Sequence, residues 1–533
     1  MLTQAILIGL VAMCVTFEWA LGTCLASRPI VTGVLIGLVM GDLQTGIIVG
    51  ATLEMVFIGS VTIGAAVPPD VITGGILGTA FAISTGQGAE VALTLAFPIA
   101  SLYLIIDNAL TLIVMPFFVH KADDCVAKGD LKGMERMHLL GGFIVKSLPR
   151  FFVCSLAFYL GTPVMNAVLN AIPEFVSNGL VIAGGFIPAL GIALLASMIV
   201  NKQTAIFFVL GFALCAYMSI PILGIAIIGL CLAVILVVVS QTSLLRRHSL
   251  VRKGASTMTT SNDTSSNKIT KRDLKSVFFR SLTMEYSWNY ERQQHMGYCF
   301  SMLPIIRRVY KNKDDQAAAA KRHMEFFNTT PYVSTLILGI SAAMEEANAN
   351  EEDFDESSIN SVKAALMSPL AGIGDSLFWG TLRVIATGLG VSLAMQGNIL
   401  GPLLFLVVFN VPHYLIRWFC LKWGYGFGTS FLSKIEKSGL MPKLTMGAAI
   451  LGLMVIGAMV PNLVSVSVAG SLGTGDSAQT IQSIIDGIMP SLLPLLVTLG
   501  VYELVQHKVK IAWILVILMA VGIVGSFFGV FAI

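Results

Sequence analysis

The chain has 533 residues, 56% of them hydrophobic and 12% charged, with a formal net charge of +3 and a mean hydropathy of +0.83. About a quarter of a soluble domain is charged, so this composition excludes an ordinary soluble enzyme and gives no footing for nucleic-acid binding. The eight cysteines include no C-x-x-C pair, which speaks for small buried hydrophobes and against a disulfide or metal framework.

Residues 1–243 are almost continuously apolar. Residues 1–26 have neither a basic start nor an obvious A-x-A site, so they read as a retained membrane helix. Between Pro29 and Ile76 the apolar sequence is broken repeatedly by Gly and Pro. Such breaks are tolerated at membrane depth only inside protein or beside a water-filled cavity, so a substrate path is expected there. Longer candidate spans follow at Val91–Phe118, Phe151–Leu169, Val176–Val200 and Phe207–Val239, the last divided near Pro221.

The character then changes. Leu244 to Arg280 carries nine Lys and Arg against Asp263 and Asp273, and its middle is rich in Ser, Thr and Asn. Residues 244–267 therefore read as a flexible linker, on the cytoplasmic side because basic flanks stay there. Residues 281–365 hold no stretch that could span, but apolar residues recur at helical spacing over Tyr298–Tyr310, and 268–365 reads as a cytoplasmic helical segment. A helix through Lys321–Asn328 should stop before Pro331, and Asp355–Ser358 offers a cap for one running toward Met367. The acidic residues Glu345, Glu346, Glu351, Glu352, Asp353 and Asp355 read as a solvated face or a docking patch. Residues 366–533 are a second membrane part, with candidate spans at Leu382–Met395, Leu400–Phe419, Met446–Val468, Ile488–Val505 and Ile511–Ile533. His507, Lys508 and Lys510 before the last span place the C-terminus outside the cytoplasm. The expected fold is an all-α integral membrane protein: a polytopic helical bundle with broken or re-entrant helices plus a cytoplasmic amphipathic helical segment.

Several polar residues stand out in this setting. Glu54 and Asp70 lie in or beside apolar sequence, where an ionisable group faces a cavity, a partner or a substrate. Asp70 could equally cap a helix starting at Val71, and capping suits Asp42. The four-residue spacing of Gly33, Gly37 and Gly41, and of Gly46 and Gly50, suits close helix packing. Arg28 before Pro29 suits an interfacial anchor better than a ligand. Asp375 in GIGDSLFWGT follows a Gly-rich apolar approach that permits an unwound segment.

The segment RPIVTGVLIGLVMGDLQTGIIVGATLEMVFIGSVTIGAAVPPD, residues 28–70, resembles the IIC component of the mannose–fructose–sorbose phosphotransferase family, as does NAIPEFVSNGLVIAGG at 170–185. SWNYERQQHMGYCFSMLPIIRRVY (287–310), RHMEFFNTTP (322–331), ALMSPLAGIGDSLFWGTLR (365–383) and GNILGPLLFLVVFNVPH (397–413) resemble the IID component, in order. The domains are then an IIC-like 1–243, the linker 244–267 and an IID-like 268–533. These components commonly occur as separate chains.

The resemblance implies a multi-pass sugar permease of the bacterial cytoplasmic membrane that needs no cofactor and assembles into oligomers, trimers in this family. Its partners would be the sugar, membrane lipid and a cytoplasmic phosphorylated IIB protein supplied through IIA, HPr and enzyme I. The seven histidines are isolated, and no P-loop or IIB-type carrier block is present, so the phosphoryl carriers are expected on other chains. The resemblance also raises Trp288, Asn289 and Glu291 as sugar ligands, an aromatic face beside an amide and a carboxylate, against an interfacial Trp with a solvated face. Asn328 is either a site residue or a helix cap. Glu54, Asp70 and Asp375 are the candidate bases. An ion-coupled secondary sugar transporter is the alternative.

Overall fold

The computed structural model describes residues 1–58, 69–86, 88–170, 174–186, 188–202, 204–248, 268–351, 354–428, 440–472, 479–509 and 511–531. The heart of the expected linker (249–267), together with Glu352 and Asp353, lies outside the described residues. Among those described, the chain is helical apart from one short antiparallel ladder joining Ser471–Leu472 to Gln479–Thr480.

The first half contains α1 (Leu2–Thr16), α2 (Pro29–Met40), α3 (Leu43–Phe57) and α4 (Val71–Thr85). Two long rods follow. In one, α5 (Ala89–Ala109) passes through a wide π turn, Leu110–Val114, into α6 (Met115–Ala127). In the other, α7 (Leu131–Gly142) passes through a second π turn, Phe143–Ser147, into α8 (Leu148–Asn170). The span expected at Val176–Val200 is instead two helices, α9 (Glu174–Phe186) and α10 (Pro188–Ile199), with Pro188 at the first position of the second, where its missing N–H costs nothing. The half closes with α11 (Ala205–Met218) and α12 (Ile222–His248), divided at Pro221 as the sequence suggested.

The second half opens with α13 (Lys271–Ser281), α14 (His295–Val309), α15 (Lys313–His323) and α16 (Ser334–Asn350). The helix expected through Lys321–Asn328 ends at His323. The strand-like stretch beyond it is held by Gln294, whose backbone N–H donates to Phe327 O at 2.9 Å and whose Oε1 accepts from Thr329 N at 3.1 Å. Of these helices α13 is amphipathic, with Leu274 and Val277 turned inward, whereas residues 331–342 are buried without a break. Glu345 departs from the solvated acidic run, in which Glu351 and Asp355 are exposed: it is fully buried, accepting from Arg322 and Tyr310, with His323 Nε2 at 2.8 Å. Its partners hold the carboxyl far down, at about 2, against the burial that pushes it up. Then α17 (Ser357–Gly374) crosses a third π turn, Asp375–Leu382, into α18 (Arg383–Ala394), followed by α19 (Leu400–Phe427), α20 (Leu440–Leu463), α21 (Ile481–Ile488), α22 (Leu492–Gln506) and α23 (Ile511–Phe527).

Among the described residues, five helices are long and apolar enough to cross a membrane, or six if the pair Ile481–Ile488 and Leu492–Gln506, bent by 77°, forms one broken span. Shorter apolar helices, α2, α3 and α4 among them, pack inside the bundle. Gly41 ends α2 at φ +84°, and Asp42 accepts from Thr45 N at 3.0 Å to start α3, so the chain doubles back tightly. The glycine stripes then face each other: a Cβ on Gly33 would sit 2.4 Å from Gly46 O, and one on Gly46 2.5 Å from Gly33 O. Small residues let these backbones touch, and backbone cannot give way as a flexible side chain would. Gly33→Val should therefore lower the thermal stability of the purified protein by the equivalent of about 1–3 kcal/mol. An unchanged melting temperature in detergent would show that the two helices can separate freely.

Candidate functional site

A cavity of about 370 Å³ lies between the two halves, a volume suited to one small polar ligand. Each of the three π turns sends a side chain into it: Thr111, Lys146 and Asp375. A π turn carries one residue more than the helix around it and re-aims its neighbours, which is why such turns recur at functional sites.

On the wall from the first half, Arg150 donates to Asp70 Oδ1 at 2.7 Å and approaches Asp107 Oδ1 at 3.4 Å, while Lys146 Nζ lies 2.9 Å from Asp107 Oδ2 and 2.7 Å from Thr111 Oγ1. The guanidinium of Arg150 also lies 5.1 Å from the Trp19 ring centre and 4.9 Å from that of Tyr103. Two cations and two carboxylates balance, so the group carries no net charge at a depth where isolated ions are costly. Asp70 does both things that its sequence position allowed. It also accepts from Thr73 N at 2.8 Å, capping α4, and so ties a helix start to Arg150.

Along the seam, Arg28 donates to Glu54 Oε1 at 2.9 Å and to Phe57 O at 2.8 Å. Arg28 is thus buried and paired, not an interfacial anchor, because Glu54 on α3 supplies the counter-charge. Arg383 donates to the next carbonyl, Ile58 O, and lies 5.3 Å from the centre of the Trp379 ring.

The wall from the second half is milder. Asp375 Oδ1 accepts from Thr330 Oγ1 at 2.6 Å, and Gln294 exchanges hydrogen bonds with the backbone of Thr329. Glu285 accepts from the Thr23 hydroxyl of the first half. Burial pushes the Glu285 carboxyl above its ordinary 4.5, the Thr23 hydrogen bond and the Arg417 charge pull it back, and Asp375 pushes it further up.

The candidates chosen from sequence divide three ways. Asp70, Trp288, Asn328 and Asp375 line the cavity together. Glu54 and Asn289 stand behind the wall. Glu54 orients Arg28, and Asn289 shapes the turn at 289–293 by accepting from Arg292 N at 2.9 Å and donating to Gln293 O at 3.2 Å. Glu291 turns away, 3.3 Å from His120 on the outer surface. Sequence reading passed over Glu18, Trp19, Asp107, Lys146, Arg150, Glu285, Gln294 and Arg383, all of which line the cavity. The signal was there for some of them, since Asp107 interrupts SLYLIIDNALTLIV, and Lys146 and Arg150 sit four apart in an apolar rod.

A polytopic helical protein with a charged, aromatic-lined cavity between two halves has the form of a membrane permease. Residues 268–531 match the family model "PTS system mannose/fructose/sorbose family IID component", and residues 2–235 match "PTS system sorbose-specific iic component". The PTS system mannose-specific EIID component of Escherichia coli (strain K12) is 42% identical over 273 residues, covering 50% of this chain and 96% of that protein. The mannose-specific EIIC component of the same strain is 35% identical over 216 residues, covering 40% of this chain and 80% of that protein. A solved chain described as "Structure of membrane protein" is 41% identical, with a TM-score of 0.48, covering 50% of this chain and all of its own. The chain belongs to the mannose/fructose/sorbose phosphotransferase family and carries its IIC and IID components in one polypeptide, a multi-pass sugar permease of the bacterial inner membrane. The ion-coupled alternative finds no support among these relatives.

Two outcomes follow from the wall chemistry. Arg150→Gln leaves the buried Asp70 without its cation, while Asp107 keeps Lys146, and should destabilise the protein by about 3–5 kcal/mol. Adding Asp70→Asn should recover part of the loss, and additive losses in detergent melts would deny the coupling. For Glu285 the folded carboxyl holds its proton more tightly than the unfolded one. Its contribution to stability is therefore present below its ordinary 4.5 and is lost as pH rises through the raised folded value. Glu285→Gln should flatten that slope and stabilise the protein at pH 7, and an unchanged pH profile would contradict the raised value.

Proposed function

We propose that the cavity between the halves is the sugar site, and that a hexose held there is phosphorylated by a IIB protein docking from the cytoplasm. The observation carrying this reading is the convergence of both halves on one volume with the mixture a sugar needs. Trp19, Trp288 and Trp379 offer ring faces for C–H groups, while Asp70, Gln294, Asn328, Thr330 and Asp375 offer directed partners for hydroxyls. Mannose is the first substrate to test, since it is the sugar named for the Escherichia coli K12 EIIC and EIID relatives.

In the reaction the sugar hydroxyl oxygen attacks the phosphorus of a phosphohistidine on IIB. The P–N bond breaks as the O–P bond forms, and the hydroxyl proton passes to a carboxylate in the cavity. Of the three candidate bases, Glu54 is committed to Arg28, and Asp70 to Arg150 and Thr73 N. Asp375 accepts from the uncharged Thr330 hydroxyl and has no cation partner among the described residues, which leaves it the stronger acceptor for that proton. The permease itself positions the sugar and excludes water. Oligomerisation, in trimers, belongs to the same reading and is checked by the mass of the purified complex.

The test uses purified full-length protein, phosphorylated IIB and mannose. Asp375→Asn keeps size and hydrogen-bonding capacity while removing the charge, and should lower the phosphorylation rate at least a hundredfold with normal folding. Trp288→Ala should weaken mannose binding roughly tenfold or more. Normal binding and phosphorylation in both variants would remove this cavity as the site.

The linker reading belongs here too. A reporter that is active only outside the cytoplasm, fused at Thr260, should stay silent, and an active fusion would reverse the topology.

A further inference from the structure

The cations of the cavity are not equally answered. Arg28 is paired with Glu54, Lys146 with Asp107, and Arg150 with both Asp70 and Asp107. Arg383 also lines the cavity and is 1% exposed, yet no described carboxylate forms an ion pair with it. Its Nε has no hydrogen-bond partner. Among the described residues it is contacted by the Ile58 carbonyl at the C-terminal end of α3 and by the face of Trp379, and Glu54, already paired with Arg28, acts on it from further off. A helix C-terminus supplies about half an elementary negative charge, so the Arg383 end of the cavity keeps a positive surplus. Arg28 holds the adjoining carbonyl, Phe57 O, so two planar guanidiniums converge on one helix end.

We infer that Arg383, with Arg28 beside it, is a phosphoryl-oxygen subsite: it binds the phosphate of the sugar phosphate formed in the cavity. An unphosphorylated sugar is neutral and gains little there. A phosphoryl group carries its charge on peripheral oxygens that a planar guanidinium fork matches. The stabilisation therefore arises as the group arrives, which is the differential binding that speeds transfer. Glu18, Glu285 and Asp375 accept hydrogen bonds from Ser27 N, Thr23 and Thr330. Where ionised, Glu18 and Glu285 repel an anion, while Asp375 takes up the hydroxyl proton as the phosphoryl group arrives, which favours the Arg383 end for the phosphate. The competing account makes Arg383 a cap for α3 and nothing more; it predicts a loss of folding stability and no selective effect on any ligand.

The inference rests on the cavity being the sugar site, and its test separates the two claims. Binding of mannose, mannose 6-phosphate and inorganic phosphate to the purified full-length protein is measured by calorimetry for the wild type, Arg383→Gln and Arg383→Lys. The expected result is at least a tenfold loss of mannose 6-phosphate affinity in Arg383→Gln, with mannose affinity held within about twofold and an intermediate loss in Arg383→Lys. Wild-type protein that fails to bind mannose 6-phosphate, or parallel losses for mannose and its phosphate, would overturn the subsite. If Arg383→Gln does not fold, the same comparison is read from Arg383→Lys, where an unchanged ratio of the two affinities overturns it. Mannose binding that responds to Trp288→Ala beside a mannose 6-phosphate affinity indifferent to Arg383 would sink the subsite alone. Absence of mannose binding in the wild type would sink the sugar site, and inorganic phosphate would still report on Arg383.

Discussion

The carbonyls of Leu21, Gly22, Thr23 and Cys24 lie in succession on the loop before α2, and each accepts from a side chain of the IID half: Tyr414, Arg417, Tyr332 and Asn410. Buried backbone groups must be paired, and a loop has no helix or sheet to pair them. The clasp also holds an unfavourable backbone, since Gly22, Thr23 and Leu25 all take positive φ, at 91°, 60° and 61°. For a threonine and a leucine such conformations cost on the order of 1–3 kcal/mol each. This loop runs from Glu18 and Trp19 to Ser27 and Arg28, all of which line the cavity. The first half's contribution to the site therefore has its shape only when the second half is in place.

The same dependence appears around the rest of the seam. Gly22 N donates to Leu282 O at 2.8 Å, buried His138 bridges Ser287 and Thr283, and Tyr290 donates to Asn108 at 2.9 Å. Toward one end Arg280 and Arg307 share Glu135, and Arg292 grips Asp123. These contacts are polar and directional, and they fix the register of an interface that α9–α12 also pack with apolar side chains against α20, α22 and α23. Two components that elsewhere are separate chains thus fold as one unit here, and the covalent join keeps them at high effective concentration.

Much of the fold was legible in the sequence because membrane burial writes itself into composition. The α11–α12 break at Pro221, the α2–α3 turn at Gly41–Asp42 and the glycine stripes followed from local chemistry alone. Positions that depend on remote partners did not. Glu345 reads as one of a run of acids until Arg322, His323 and Tyr310 close over it. Arg28 reads as an anchor until Glu54 answers it across a helix hairpin. No π turn was foreseen, since an added residue per turn leaves no compositional mark, and these turns set where Lys146 and Asp375 point. In the site itself, the GDS context of Asp375 and the Pro-Pro-Asp context of Asp70 carried local cues. Glu18, Glu285 and Gln294 are functional candidates only because two distant segments meet at them.

A sugar-bound structure of the full-length chain in lipid tests the shared site most directly. The account predicts hexose density in the cavity, with hydrogen bonds to residues of both halves and a ring face against Trp288 or Trp379. Density held by one half alone, or lying outside the seam between Asp70 and Asp375, would contradict it.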